Sequence, residues 1–201
     1  PQRSQKPNKN FLNIIRRKSR ESSSILIFDE ITSGFHDNFG GIHLKLKTNP
    51  DIAVFSKALG NGTPIAAIIG KKRYMDYAQE TFISSTMWSE RIGFVAALAT
   101  LKKMKEKKVH KQILEYGNLI RIGWEKIFKK HNILISIGGL KTMPSFDILH
   151  KNKNEIITFF TEKMLEKGFL ASNSVTLTLA HNKSVIYRYL AAVDLIFGEI
   201  K

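Results

Sequence analysis

Three short apolar runs, separated by polar or glycine-rich segments, constrain the fold of this chain more than any other feature. Residues 25–28, 52–55 and 65–69 read ILIF, IAVF and IAAII. An unbroken run of four or five apolar residues is typical of a strand buried on both faces, as in parallel sheets covered by helices. We therefore predict an α/β domain whose sheet contains these three strands.

Apolar residues at helical spacing surround these strands. They predict helices over residues 8–20, 89–107 and 111–130, with a loop over 34–50. Beyond residue 131 the pattern changes, and it predicts strands over 133–137, 146–149 and 175–179, a turn at 138–139, and helices over 154–167 and 184–197. This alternation is typical of a small α+β domain. We place the boundary so that 1–108 and 109–201 belong to different domains.

The composition excludes several classes of protein. There is no cysteine among the 201 residues, which excludes disulfides, thiolate metal sites and cysteine nucleophiles; we predict no metal site and expect a reducing compartment such as the cytoplasm. No apolar run approaches the roughly 20 residues that span a bilayer, so we expect no membrane. The first ten residues have no apolar core and no initiator Met, which argues against a signal peptide and hints at a segment of a longer protein.

The net charge of +15 raises the possibility of a nucleic-acid partner. The densest lysine run is Lys102, Lys103, Lys105, Lys107 and Lys108, at the end of a predicted helix. Lysine also interacts favourably with the dipole at a helix C-terminus, and no nucleic-acid reading motif accompanies the charge. We therefore interpret the charge as a solvated surface.

Two polar side chains follow the first two predicted strands. Asp29 ends the first strand, at the carboxyl edge where open α/β sheets bind ligands. A carboxylate there suits a cationic partner such as a protonated pyridine nitrogen, although a loop-capping aspartate is the alternative. Glu30 is the weaker candidate, because side chains alternate along a strand.

Lys57 follows the second strand and precedes Gly60 and Gly62. A lysine near apolar groups has a lowered amine pKa, which favours its attack on an aldehyde, and glycines allow a tight turn beside a ligand. The alternative is a surface lysine in a glycine-rich turn. Because both strands end at the same sheet edge, we expect Asp29 and Lys57 to converge.

The motifs around these residues resemble the class III (subgroup II) aminotransferases. The matching stretches are Phe28-Asp29-Glu30-Ile31, Thr32-Ser33-Gly34-Phe35, Asn49-Pro50-Asp51-Ile52 and Ser56-Lys57-Ala58-Leu59-Gly60-Asn61-Gly62. Ser33 is an insertion, and Asn61 replaces a glycine that is common in the family. The resemblance implies the C-terminal part of the large domain of a fold type I transferase, followed by a small α+β C-terminal domain.

The resemblance also implies a cofactor, pyridoxal 5'-phosphate, and roles for individual residues. Lys57 would form a Schiff base with the cofactor and move an amino group through aldimine and quinonoid intermediates, from an amino donor to a keto or aldehyde acceptor. Asp29 would pair with the pyridine nitrogen, and Ile31 would pack against the ring. Thr86 would reach the cofactor phosphate of the neighbouring subunit in a homodimer, with Ser85 adding its N–H.

The sequence departs from the family pattern after Thr86. Trp88-Ser89-Glu90-Arg91-Ile92-Gly93 is similar to the branch near glutamate-1-semialdehyde aminomutases and sugar-linked aminotransferases, and Trp88 itself suits a core or interface aromatic. His181 suits a structural or surface role, whereas Arg188 suits either the surface or a carboxylate clamp. The resemblance covers only the last half of the family's length, without the phosphate-binding helix N-terminus. A catalytically incompetent remnant that acts as a basic binding or scaffold module is therefore the alternative function.

Overall fold

The computed structural model describes residues 9–84, 86 and 89–200. Their contacts divide them into two compact units, the first ending at His110 and the second beginning at Lys111. We call them the first unit (9–110) and the second unit (111–200). In the described residues, every helix is too short or too polar to span a lipid bilayer.

The first unit is a small sheet with helices before and after it. Its elements are α1 (Lys9–Glu21), β1 (Ile27–Asp29), α2 (His43–Leu46), β2 (Ile52–Phe55), a 3-10 turn (Lys57–Leu59), β3 (Ala67–Gly70), α3 (Lys72–Met75), a 3-10 turn (Asp76–Glu80) and α4 (Ile92–Glu106). The three predicted strands are confirmed, and β2 has the predicted bounds. The predicted loop over 34–50 contains the single helical turn α2. Helix α4 begins three residues later than predicted, where the Glu90 carboxylate accepts hydrogen bonds from the backbone N–H groups of Ile92 and Gly93.

The sheet has the strand order β1-β2-β3. Strands β1 and β2 are parallel, with Asp29 opposite Val54, whereas β2 and β3 are antiparallel, with Phe55 opposite Ala67. The prediction of a parallel sheet is therefore wrong for β3, which is antiparallel to β2. Segment 56–66, which joins β2 to β3, is too short for the crossover of a dozen or more residues that a parallel pair requires.

Burial within the sheet also differs from the prediction. Ala53 and Phe55 of the central strand are only 4% and 5% exposed. At the edges, Ile27 of β1 is 55% exposed and Ile68 of β3 is 59% exposed, so these runs are not buried on both faces. The core of the first unit is correspondingly small: Ala53, Phe55, Leu59 and Ala97, with Phe35, Ile65, Ala67 and Leu101 packed against it.

The second unit combines three helices with a hairpin. Its elements are α5 (Val109–Lys130), whose first two residues belong to the first unit, β4 (Ile135–Leu140), β5 (Met143–Ile148), α6 (Lys153–Glu166) and α7 (Lys183–Glu199). The predicted turn at 138–139 is wrong, because Gly138 and Gly139 pair with Ser145 and Pro144 inside the hairpin. The chain turns at Lys141 and Thr142 instead.

The predicted strand over 175–179 is also wrong; within the described part of the chain, this segment forms no ladder. It runs beside β5, where the backbone N–H of Val175 donates to the Pro144 carbonyl over 3.0 Å and that of Leu177 to the Thr142 carbonyl over 3.1 Å. An isolated bridge joins Ser145 and Ser174. Pro144 has no N–H with which to return a hydrogen bond, so a regular ladder does not form there.

Aromatic side chains fill the core of the second unit. Trp124 lies 4.9 Å from Phe146 between ring centroids, and Phe128 lies 4.5 Å from Phe197. The buried indole N–H of Trp124 donates to the Tyr189 hydroxyl over 3.1 Å, so the polar atoms of these large side chains satisfy each other. Burial raises the pKa of Tyr189, which keeps its hydroxyl neutral.

Candidate functional site

The two parallel strands of the first unit deliver Asp29 and Lys57 to the same edge of the sheet. Asp29 is the last residue of β1, and its register partner Val54 is the penultimate residue of β2. Lys57 follows the end of β2 by two residues. Adjacent parallel strands have their carboxyl ends at one edge, which is where open α/β sheets bind ligands.

The turn that carries Lys57 is fixed by its own hydrogen bonds. The Ser56 hydroxyl donates to the carbonyl of Ile65 over 2.7 Å, and the N–H of Gly60 donates to the carbonyl of Lys57 over 3.1 Å. At Gly60 a Cβ atom would lie 2.0 Å from the Thr63 carbonyl oxygen, so the turn excludes any other residue there. Leu59 anchors the turn in the core of the unit.

Lys57 has an uncommon backbone conformation. Its φ of +43° lies in the left-handed region, which lysine adopts at a cost of order 1–3 kcal/mol. Such strain persists only where the surroundings enforce it, and it concentrates at functional sites. The side chain is exposed and is not enclosed by apolar groups, contrary to the surroundings that the sequence suggested.

A hydrogen bond connects the two turns of the site. The Lys57 amine donates to the Thr32 hydroxyl over 2.6 Å, and Thr32 lies three residues beyond Asp29. The Asp29 carboxylate is exposed; its Oδ1 accepts the N–H of Ile31 over 3.0 Å, and Oδ2 bonds to none of the described residues. The site therefore holds an accessible amine and an accessible carboxylate oxygen on neighbouring strand ends.

Glu30 organises the loop behind the site. Its side chain is 1% exposed and accepts the backbone N–H groups of Ile42 and His43 over 3.1 and 3.0 Å. The ring Nδ1 of His43 lies 2.9 Å from the same carboxylate, and the Ser33 hydroxyl also donates to it. Asp29 faces outward whereas Glu30 is inserted into the loop, as the alternation of side chains predicts.

The imidazole of His36 interacts electrostatically with Lys57, and the sequence did not indicate this residue. Burial lowers the pKa of His36; the Asp37 carboxylate opposes this effect, and the positive charge of Lys57 adds to it. The ring is therefore neutral near pH 7. Its buried Nδ1 has no hydrogen-bond partner among the residues that the structure describes.

A second buried carboxylate, Asp51, lies at the opposite end of the sheet, where β2 begins. It is 1% exposed and contacts Arg16 at 2.8 Å and Lys71 at 2.6 Å. Its Oδ2 also accepts the N–H of Leu26 over 3.0 Å. Asp51 thus joins α1, the segment before β1 and the segment after β3. It is far along the strand from Lys57 and is a structural anchor.

The remaining predicted residues are placed as follows. Ile31 is partly buried beside Asp29, and Thr86 is exposed in a turn. Ser85 and Trp88 lie outside the described residues. The guanidinium of Arg188 lies 5.9 Å from the ring of Phe169, and His181 Nδ1 accepts the Thr178 N–H over 3.1 Å, so His181 has a structural contact within the second unit.

A shallow groove of about 180 Å³ in the second unit is lined by Phe169, Leu170, Val175, His181 and Tyr189, among others. Neither Asp29 nor Lys57 lines it. The chemistry suggested by the sequence therefore belongs to the sheet edge of the first unit.

Comparison with known proteins identifies the family. The sequence profile of the class-III aminotransferases matches residues 5–185, nearly the whole chain. The chain belongs to the class-III aminotransferase family. The 3-aminobutyryl-CoA aminotransferase of Cloacimonas acidaminovorans is 32% identical over 141 residues, which are 70% of this chain and 34% of that protein. The glutamate-1-semialdehyde 2,1-aminomutase of Fusobacterium nucleatum is 28% identical over 96% of this chain and 49% of its own length.

Solved structures show the same relationship at the level of the fold. The chain superposes on the FumI protein of Sphingopyxis sp. MTA144, described in its pyridoxal-phosphate internal aldimine form, with a TM-score of 0.88 and 22% identity over 96% of this chain and 47% of that one. For an omega-transaminase of Sphaerobacter thermophilus the TM-score is 0.87 and the identity 19%. The match covers 98% of this chain and 49% of the transaminase. This class-III aminotransferase segment thus has the α/β fold of part of a fold type I enzyme. It spans no more than about half the length of these relatives.

Proposed function

We propose that this chain supplies the lysine and the aspartate of a pyridoxal-phosphate-dependent site that transfers amino groups. The observation that carries the proposal is the position of Lys57 and Asp29 on adjacent parallel strand ends, with the Lys57 amine held by Thr32. Family membership supports the cofactor, because the relatives are aminotransferases and aminomutases. The proposal covers transfer between two molecules and transfer within one.

The exposed groups suit the proposed cofactor. A primary amine is the group that binds an aldehyde covalently, and Lys57 presents one to solvent. A carboxylate with an open oxygen suits a protonated ring nitrogen, and Asp29 Oδ2 is such an oxygen. When bound, pyridoxal phosphate withdraws electrons from the carbon that bears the substrate's amino group.

Three residues of the chain would have separate roles at this site. Lys57 Nζ would hold the cofactor and then move a proton to and from the substrate carbon. The Asp29 carboxylate would keep the ring nitrogen protonated. The partly buried Ile31, two residues from Asp29, would pack against one face of the ring.

The phosphate, the substrates and the assembly belong to the same proposal. Ser85 and Thr86 would bind the phosphate of the other site in a homodimer, and the substrates would be an amino donor and a keto or aldehyde acceptor. Residues 1–108 would form part of the large domain and 109–201 the small C-terminal domain of a cytoplasmic enzyme.

A pair of aspartate variants tests the proposal. Asp29→Asn and Asp76→Asn each replace an exposed aspartate of the first unit. They are compared in this chain assembled with the amino-terminal half of a class-III aminotransferase. We expect Asp29→Asn to retain pyridoxal phosphate but to lower turnover at least ~100-fold, because a neutral ring is a poor electron sink. The Asp76→Asn variant should keep full turnover. Equal turnover in the two variants would overturn the role of Asp29.

A further inference from the structure

The loop that follows β1 packs directly against the end of β2. At Gly34 a Cβ atom would lie 2.7 Å from the ring of Phe55, so only glycine allows this close approach. The next residue, Phe35, also contacts Phe55, with 5.5 Å between their ring centroids. Phe55 lies two residues before Lys57. The loop that contains His36 is therefore fixed against the strand that carries the lysine.

The backbone before His36 is held in an uncommon conformation. Phe35 has a φ of +63°, in the left-handed region that phenylalanine rarely adopts. Its N–H donates to the carbonyl of Gly40 over 2.8 Å, and its ring lies 6.0 Å from that of Phe39. A conformation of this kind persists only where the surroundings enforce it. His36 is thus presented beside the Lys57 turn by a loop with a defined shape.

The imidazole of His36 has an unused nitrogen. Its Nδ1 is buried and forms no hydrogen bond with the part of the chain that the structure describes. A buried polar atom without a partner is uncommon in native proteins. Because burial lowers the pKa of His36, the ring is neutral near pH 7, and a neutral imidazole can accept a proton.

The charged groups near His36 act in opposite directions. The Asp37 carboxylate favours a protonated ring, whereas the positive charge of Lys57 disfavours it. Lys45, whose amine donates to the Asp37 carbonyl, is a further cation of the loop, and the buried Glu30 carboxylate is engaged by backbone N–H groups of the same loop. Of these groups, Lys57 is the one whose charge would change in the proposed reaction.

We propose that His36 is a proton acceptor coupled to Lys57, which takes up a proton when the Lys57 amine loses its positive charge. The inference rests on the proposed function, in which Lys57 binds an aldehyde. Only a neutral amine attacks an aldehyde, so the ammonium group must first release a proton. The lysine nitrogen then forms a double bond to the aldehyde carbon, and the aldehyde oxygen leaves as water with the two remaining amine protons.

The coupling follows from like charges. While Lys57 is positive, a proton on His36 is repelled; once Lys57 is neutral, this repulsion is gone and the imidazole becomes more basic. His36 therefore gains proton affinity at the step that releases a proton from Lys57.

Nuclear magnetic resonance of the His36 ring tests the coupling in the cofactor-free chain. The pH midpoint of the ring is measured in the unchanged chain, in Lys57→Met, which removes the charge, and in Lys57→Arg, which keeps it. We expect Lys57→Met to raise the midpoint by at least ~0.3 pH unit, about a twofold change in proton affinity, and Lys57→Arg to leave it unchanged. Lys72→Met, at an exposed lysine of α3, is the control. The same midpoint in Lys57→Met and Lys72→Met overturns the coupling.

Labelling of Lys57 tests the consequence for the reaction. The chain is mixed with pyridoxal phosphate at pH 7, reduced with borohydride and digested, and the label on Lys57 is compared with the label on Lys72. In His36→Gln, whose amide cannot bind a proton at this pH, the ratio should fall roughly tenfold. This is less than an enclosed base supplies, because the exposed Lys57 also exchanges protons with water.

Added imidazole separates a proton acceptor from a structural residue. It should restore the Lys57 label in His36→Gln, because it supplies the missing base; a variant that has only lost its loop structure would not recover. Selective labelling of Lys57 that is the same with and without His36, or that imidazole does not restore, overturns the inference alone. Absence of selective labelling in the unchanged chain overturns the proposed function on which it rests.

Discussion

The amine of Lys57 and the hydroxyl of Thr32 lie 2.6 Å apart, and this hydrogen bond joins the turn that follows β2 to the turn that follows β1. The two residues are 25 positions apart in sequence, yet they lie side by side because β1 and β2 are adjacent and parallel. The contact orients an otherwise exposed lysine toward the strand that ends in Asp29. It makes Thr32 a positioning residue for the proposed chemistry.

Replacement of Thr32 by valine should slow the reaction of Lys57 with pyridoxal phosphate. A hydrogen bond of this kind is worth about 1 kcal/mol, which corresponds to a rate lower by roughly three- to tenfold. The rate is followed by absorbance in the chain assembled with the amino-terminal half of a class-III aminotransferase. Thr32→Ser keeps the hydroxyl and should restore the rate. If the valine and serine variants react equally fast, Thr32 does not position the lysine.

Replacement of Glu30 by glutamine should loosen the loop over residues 31–43. The buried carboxylate accepts hydrogen bonds from Ile42, His43 and Ser33, and an amide nitrogen cannot accept any of them. Leaving a buried donor unsatisfied costs about 1–3 kcal/mol. Hydrogen exchange of the loop should therefore be faster in Glu30→Gln. Glu80→Gln, which changes an exposed glutamate, is the control; equal exchange in the two variants would contradict the structural role of Glu30.

Asp51→Asn should destabilise the first unit much more than Asp147→Asn destabilises the second. Asp51 is buried between Arg16 and Lys71, whereas Asp147 is 58% exposed and lies 3.4 Å from Lys153. Loss of one partner from a buried pair costs about 3 kcal/mol, and loss of a surface pair costs less than about 1 kcal/mol. Urea denaturation followed by hydrogen exchange of β2 and β5 separates the two units. If both variants lose a similar free energy of unfolding, Asp51 is not a structural anchor.

Acid should weaken the first unit through the same carboxyl group. Burial acts to raise the pKa of Asp51, but hydrogen bonds from Arg16, Lys71 and Leu26 outweigh it and hold the pKa well below its usual range. The unfolded chain binds a proton near pH 3.9, above the pH at which the folded chain does. Stability from Asp51 is thus complete above about pH 5 and declines as the pH falls below 4.

The Asp51→Asn variant tests that pH dependence. The free energy of unfolding of the first unit is measured from pH 6 to pH 2.5 in this variant and in the unchanged chain. At acid pH the free energy of unfolding should fall less steeply with decreasing pH in the variant. The difference in slope should reach up to about 1.4 kcal/mol per pH unit, because one titrating carboxyl group is missing. If the free energy of unfolding falls equally steeply in both proteins, Asp51 is not the source of the acid sensitivity.

Local pattern was enough to predict most elements of the fold. The apolar run that ends before Ser56 gave the bounds of β2, and helical spacing located α1, α4 and α5. The errors concern relationships between segments. The direction of β3 depends on the length of the segment that connects it to β2. Residues 175–179 do not form the predicted strand because Pro144, in the neighbouring strand β5, has no N–H.

The same distinction between local patterns and relationships between segments applies to the candidate site. Asp29 and Lys57 were indicated because each follows an apolar run and belongs to a recognisable motif. Thr32 and His36 were not indicated as functional, because their relation to Lys57 arises only when two distant turns meet. The exposure of Ile27 and Ile68 was not predictable either, since an apolar run does not indicate whether other segments cover both of its faces.

Selective labelling of Lys57 tests the central claim most directly. The chain, assembled with the amino-terminal half of a class-III aminotransferase, is mixed with pyridoxal phosphate and reduced with sodium borohydride. It is then digested, and the modified lysines are located by mass spectrometry. In a chain with 24 lysines, selectivity for one of them is informative. We predict that the pyridoxyl group lies on Lys57 and disappears in Lys57→Ala. A label spread over the exposed lysines of α4, with no preference for Lys57, would contradict the account.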